Sequence, residues 1–253
     1  LTLFQRRNFW AGAVALSVAY GVFFGNVVLL PLWLQQFMGY TATQAGMVMA
    51  PVGLLALVLS PVVGKNIGRV DPRYFATFAF LIFALVLWMR SMFNTQADIA
   101  TIMVPTIIQG VAMAFFFIPL VTITLSGLPP ERIPAASGLS NFVRITAGAV
   151  GTSVATTVWE NRAALHHAQL VESITLGNPV ASSALSGLTA SGIDPQQALA
   201  QVNRLVDQQA FMLAANDVFY VSALLFLLLI PLIWLTQPPK ASGAGADAAA
   251  GAH

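Results

Sequence analysis

The sequence predicts an all-α, polytopic bundle of transmembrane helices, and three observations carry that prediction. Hydrophobic residues make up 57% of the 253 positions and charged residues only 8%, against about 25% charged in a soluble domain. A surface so poor in charge is solvated by lipid. The charge-free stretches reach membrane length, about 20 residues per helix: none of the residues between Arg7 and Lys65 is charged. The apolar runs are also continuous, whereas a transmembrane β-barrel alternates in segments of about 10 residues.

Irregular backbone cannot face hydrocarbon, so each apolar run is expected to be a helix. Residues 9–34 form the first span and 45–64 the second, joined by a polar turn over 35–44. The third covers 74–92 and the fourth 99–125. The fifth, 136–159, is interrupted by one charge, Arg144, and the sixth is 218–236. Residues 1–236 are thus expected to form one six-helix bundle. The one long loop, 160–216, is polar and mildly acidic. Within it Asp194 before Pro195 is a helix start, an N-cap followed by proline at the first helical position. Ala198, Leu199, Val202, Leu205, Val206 and Gln209 then mark one face of a helix leading to the last span. The Ala/Gly/Pro-rich tail, 237–253, is expected to be disordered.

Six spans place both ends on one side, and positive charge selects that side. Arg6, Arg7, Lys65, Arg69, Arg73, Arg132 and Lys240 fall on the side of the ends, whereas Arg90, Arg162 and Arg204 fall opposite. The ends are therefore expected in the cytoplasm and the long loop outside. Trp10, Trp88, Trp159 and Trp234 lie near span ends, as an aromatic belt requires. No basic region followed by a short apolar stretch and a cleavage site is present, so no signal peptide is expected. The net charge of +2 is too small to suggest nucleic acid, and the absence of cysteine excludes disulfides and thiolate metal sites.

Polar and small residues inside the spans are the candidates for function. Small residues recur at fourfold spacing as Ala56, Ser60 and Gly64, and as Ala147, Gly151 and Ala155 with Gly148, Thr152 and Thr156 alongside. Such faces let helices approach closely in lipid, either as fixed packing or as a moving interface. Pro31, Pro51, Pro61, Pro105, Pro119 and Pro231 are expected to interrupt or kink their spans. Arg144 costs about 2.5–3.5 kcal/mol at a helix centre on insertion scales, so it either snorkels to the surface or faces a polar interior. Asn141, three residues earlier, shares its face. Asn26 and Gln109 each line a cavity or bond a neighbouring helix. No Asp or Glu lies deep in any span. A proton-driven transporter titrates a buried carboxylate, so if this chain belongs to such a machine the main carboxylate is expected elsewhere.

Several stretches carry a family resemblance. They are residues 30–36 (Leu-Pro-Leu-Trp-Leu-Gln-Gln) with 39–46, and residues 51–54 and 61–64 with the loop Gly68-Arg69-Val70-Asp71-Pro72-Arg73. Residues 136–144 (Ala-Ser-Gly-Leu-Ser-Asn-Phe-Val-Arg) with Gly148 and Gly151-Thr152 follow, then Gln208-Gln209-Ala210 and Asn216-Asp217. In this order and spacing the chain resembles the EmrB/QacA-type drug:proton antiporters, the fourteen-span branch of the major facilitator superfamily. It looks like their last six spans. The resemblance implies a carboxy-terminal half that exports amphipathic, drug-like compounds by alternating access from a bacterial inner membrane. The energy source would be the proton gradient, with no cofactor. It implies partner spans amino-terminal to this chain and, for the Emr type, a periplasmic adaptor and outer-membrane channel. Gly64, Gly68, Arg69, Asp71 and Arg73 match a cytoplasmic gate loop in which Arg69 and Asp71 latch neighbouring helix ends. Asn26, Gln109, Asn141 and Arg144 are the expected cavity or coupling residues.

A transporter of lipid or metabolite, or a non-transporting membrane fragment, is the alternative. An enzyme is not expected. A serine protease at Ser137 needs a histidine on another span, and the histidines are His166, His167 and His253 in the loop and tail. Adjacent histidines point to different faces, so no metal site is expected.

Overall fold

The computed structural model describes residues 6–174 and 178–237, and within them all regular structure is helical. The tail expected to be disordered lies, from residue 238 onward, outside the described residues. The helices are α1 (Arg7–Gln36), α2 (Ala42–Asn66), α3 (Pro72–Arg90), α4 (Ile99–Ala114), α5 (Phe117–Leu125), α6 (Ile133–Ser173), α7 (Pro179–Ala190) and α8 (Pro195–Trp234).

Their starts follow from capping chemistry. Thr41 and Gln44 form a reciprocal capping box at α2. Asp71 accepts from the Arg73 amide at α3, with Pro72 in the first turn. Asp98 accepts from the Thr101 amide at α4, and Asp194 from the Gln196 amide at α8. The helix start read at Asp194-Pro195 is therefore where α8 begins. The polar turn after α1 reverses at Gly39, whose φ of +72° is left-handed.

The prolines divide. Pro31, Pro51, Pro61, Pro105 and Pro231 sit inside continuous helices, so the expected interruption does not occur there. Only at Pro119 is a span broken: the turn over Phe115 and Phe116 separates α4 from α5. A proline ring clashes with the carbonyl four residues earlier, here that of Phe115.

Five segments are long and apolar enough to cross a membrane: Arg7–Gln36, Ala42–Asn66, Pro72–Arg90, Ile99–Leu125 and Pro195–Trp234. The expected span 136–159 is not among them; Arg144 and its small, hydroxyl-bearing residues dilute its apolarity. It nevertheless runs parallel to α1. Ala136 packs beside Phe9 at one end, and Trp159 packs edge-on against Phe37 at the other. The long loop is largely helical, since α6 continues through Ser173, α7 follows, and α8 is 40 residues long.

α1 occupies the centre, packed on α6, α8 and α5, with α2 against α4 and α3 against α8. Phe23, Phe80, Phe83, Phe116 and Phe226 form the middle of the core, with Phe83 and Phe226 stacked at 4.9 Å. The start of α1 and the residues after α8 meet: Asn8 donates to the Gln237 carbonyl and accepts from its amide. Trp10, Trp88 and Trp234 are exposed, as a belt residue is, but Trp159 is buried and donates to the Phe211 carbonyl at 2.9 Å.

Candidate functional site

The seam between α1 and α6 organises the candidate site. A Cβ on Gly21 would lie 2.8 Å from the Ala147 carbonyl oxygen, and one on Gly25 would lie 2.7 Å from the Ala155 Cβ. A Cβ on Gly151 would fall 2.3 Å from the Gly21 carbonyl oxygen. The small-residue face of α6 is thus seated backbone to backbone on α1, as close packing in lipid requires. Its α2 counterpart is different, since nothing lies within 4 Å of a Cβ on Gly64. Instead α4 approaches α2 through Gly110, where a Cβ would meet the Pro51 carbonyl oxygen at 2.9 Å.

Toward the α6 amino terminus, Arg144 neither snorkels freely nor pairs with a carboxylate. Its guanidinium lies over the rings of Tyr20 and Phe117, 5.0 and 5.7 Å from their centroids, and donates to Asn141 Oδ1. Electron-rich ring faces stabilise a cation where no counter-charge is present. Arg144 Nε is buried without a partner. The structure therefore brings Asn141 and Arg144 together, on α1 and α5 aromatics.

Toward the far end, a cavity of about 530 Å³ lies between α1, α6 and α8. Asn26, 3% exposed, lines it and donates to Ser222 Oγ at 2.9 Å and to the Val22 carbonyl at 2.7 Å. Its Oδ1 acceptor has no partner. Arg162 and Asp217 also line the cavity, paired at 2.7 Å, and His166 reaches the same Asp217 oxygen at 2.7 Å. This charged cluster was not visible in the sequence, because α6 and α8 bring together residues 55 and 51 positions apart.

Gln109 is placed differently from Asn26. It is buried, and its Oε1 accepts from Arg90 Nη2 at 2.6 Å, with Thr106 Oγ1 at 3.2 Å from the same nitrogen. Of the two readings open for Gln109, the structure shows the bond to a neighbouring helix, α3. Arg90, counted in the sequence only as an outer-side charge, is fully buried, and among the described residues no carboxylate pairs with it. Neutral amide and hydroxyl oxygens stabilise it instead.

The gate loop also differs from expectation in who does the latching. Asp71 caps α3 and pairs with Arg73 at 2.6 Å. Arg73 then donates to the Thr236 carbonyl at 3.0 Å and lies 5.1 Å from the Trp234 ring, tying the start of α3 to the end of α8. Among the described residues no side-chain hydrogen bond or ion pair engages Arg69, so the contact with a neighbouring helix end expected of Arg69 is made by Arg73. Gly68, like Gly64, has open space where a Cβ would lie. Partial burial pushes the Asp71 carboxyl up, but hydrogen bonds from the Arg73 side chain and amide, with its charge, outweigh this and hold it below its ordinary value.

A bundle of membrane-length helices with ion pairs tying helix ends together defines an integral membrane protein of the helical-bundle class. Residues 1–152 match the Major Facilitator Superfamily, and the chain belongs to that family. It is 45% identical over its whole length to "Multidrug export protein EmrB" of Escherichia coli (strain K12) and covers 49% of that protein. It is 42% identical over 97% of its length to "Fatty acid resistance protein FarB" of Neisseria gonorrhoeae, covering 48% of it. With "Multidrug export protein EmrB" of Haemophilus influenzae it shares 40% identity over 94% of its length and 47% of that protein. The chain spans about half the length of these relatives.

Proposed function

We propose that this chain is the carboxy-terminal six-span half of a proton-coupled exporter of amphipathic toxic compounds, working by alternating access in a bacterial inner membrane. The observation that carries the reading is 45% identity across the entire chain to a multidrug export protein of twice the length. Residues 136–159 of α6 act as the fifth of the six spans: their 24 residues lie along α1, and at 1.5 Å per residue they cover about 35 Å, enough for a hydrocarbon core. The proton-carrying carboxylate lies in spans outside this chain. Here Arg144 and Asn141 serve coupling, Asn26 lines the cavity, and the Asp71–Arg73 latch holds the cytoplasmic rim. The remaining spans of the transporter are the first partner. A periplasmic adaptor and an outer-membrane channel are the next, meeting the helical extension beyond residue 160.

One relative is named for fatty acid resistance, which favours a second reading in which the exported compounds are single-chain amphiphiles. The test is proton movement in everted vesicles containing the whole transporter. Adding ethidium should release protons from energised vesicles, and adding laurate should do so only under the second reading. No proton release with either compound removes the proposal. Arg144→Ala is expected to abolish substrate-driven proton release with membrane insertion unchanged, and normal release by that variant removes Arg144 from coupling.

A further inference from the structure

The helical extension beyond residue 160 is fastened in two chemically different ways. α8 is tied to the residues that close α1 and α3 by amides, which do not titrate. Gln208 Nε2 donates to the Phe37 carbonyl at 2.7 Å, and Asn216 Nδ2 to the Phe93 carbonyl at 2.9 Å. Beyond Trp159, the side-chain hydrogen bonds from α6 to α8 come from Arg162, His166 and His167. His166 Nε2 lies 2.7 Å from Asp217 Oδ2, which Arg162 Nη2 also reaches at 2.7 Å. His167 Nε2 lies 3.3 Å from Asp207 Oδ1 and 3.3 Å from Asn203 Oδ1. Adjacent positions on a helix face different ways, yet each of these histidines meets an aspartate of α8. Oxygen acceptors at Nε2 keep a proton there in both charge states, so a second proton goes to Nδ1.

The surrounding charges leave these contacts to the histidines. Where they pack on α6, α1 carries no charge after Arg7 and α5 carries none, and Glu131 and Arg132 lie at the opposite end of α6. Against α8, α7 carries no charge and Arg90 of α3 is turned to Gln109. Asp194 caps α8, and Glu160, Glu172 and Arg204 form no ion pair among the described residues. The side chains of His167 and Asp207 are 32% and 40% exposed, so protons reach them from solvent.

We propose that His166 and His167 make the joint between α6 and α8 pH-dependent: a proton on either ring adds Coulomb attraction to its contact with aspartate, so the extension is held firmly in acid and slackens as pH rises. Imidazole is the side chain whose ordinary pKa, about 6.5, falls between pH 5 and 8. A contact made stronger by a bound proton contributes fully in acid and loses that contribution as pH rises. Arg162 keeps Asp217 paired throughout, so the joint loosens without parting. That the sensed pH is the periplasmic one rests on the topology proposed above. The fastening itself does not, and it is measured without substrate or proton gradient.

The chain contains no cysteine, so an introduced pair can be labelled selectively. Leu165→Cys on α6 and Leu199→Cys on α8, both exposed, are to carry nitroxides in the purified protein in lipid nanodiscs, with their separation read by pulsed dipolar spectroscopy. The distance distribution is expected to widen about twofold between about pH 5.5 and about pH 8. His166→Gln combined with His167→Gln keeps neutral donors and should give the wide distribution at every pH. Asp207→Asn combined with Asp217→Asn should also lose the pH response. A wild-type distribution that does not change with pH would overturn the proposal, and so would a response that persists in the double histidine variant. The wild-type titration decides the matter even where a variant fails to fold.

Discussion

α1 and α2 are equally apolar, with mean hydropathies of 2.1 and 2.2, yet 61% of the apolar window of α1 is buried inside the bundle and only 17% of that of α2. Apolarity therefore says that each helix crosses the membrane but not where it stands. Lipid and a helix interior are equally good solvents for a leucine, so burial inside a membrane bundle is decided by shape rather than by hydrophobicity. α1 carries Gly21 and Gly25 one turn apart, and both accept the backbone of α6. α2 carries Gly46, Gly53 and Gly64, and a Cβ on any of them would meet nothing within 4 Å. Its outward Met47, Leu54, Leu57, Val58 and Val62 are exposed, an apolar face suited to lipid or to the transporter's remaining spans.

The sharpest way to break this contrast is to add the same side chain to each helix system. Gly151→Leu places atoms against the Gly21 backbone, which cannot move without parting α1 from α6. Overpacking costs about 1–3 kcal/mol and more where backbone is struck. Gly151→Leu is expected to lose most monodisperse protein on size exclusion in detergent, whereas Gly53→Leu should match the wild type. Equal behaviour of the two would contradict the assignment of α1 as the inner pillar.

A second contrast concerns buried polar groups behind α2. Gln109→Leu leaves the Arg90 guanidinium with fewer acceptors, and stranding a buried charge costs about 3–5 kcal/mol. Arg90→Met strands only neutral groups, at about 1–3 kcal/mol. Thermal unfolding should therefore rank Gln109→Leu below Arg90→Met, with the double variant recovering much of the loss. The reverse ranking would show that Arg90 is not stabilised by Gln109.

The smallest effect is expected at the solvated rim. The Asp71 carboxyl is held below its ordinary value, so its contribution is complete above the unfolded value of about 4 and fades as pH falls through the folded one. Asp71→Asn should lower the unfolding midpoint slightly at neutral pH. The wild type should converge on the variant in strong acid, and a constant gap down to the lowest pH would assign the effect to something other than this ionisation.

These comparisons show what the sequence made legible and why. Five of the six spans and the α8 start were readable because each rests on local composition, an apolar run or an Asp-Pro; the capping box of Thr41 and Gln44 was read only as a polar turn. The fourfold spacing of Ala147, Gly151 and Ala155 was readable, but its partner on α1 was not, because a groove is recognised only when its ridge is known. Pro119 breaks its span whereas Pro31 and Pro105 do not, and ring clash alone does not distinguish them in sequence. Of the proposed site residues, Asn141 and Arg144 were paired correctly by helical spacing. Gln109 was separated from Arg90 by a helix turnover, so a partner 19 positions away was invisible. The Arg162–His166–Asp217 cluster was hidden for the same reason at greater range.

The central claim is that this chain is a transporter half that works only with the remaining spans. Dye accumulation in efflux-deficient bacteria tests it most directly, comparing cells that make this chain alone with cells that also make the amino-terminal spans of the same transporter. The account predicts ethidium exclusion only with both parts, collapsing when the proton gradient is dissipated. Equal ethidium retention in both strains, with both polypeptides present in the membrane, would contradict it.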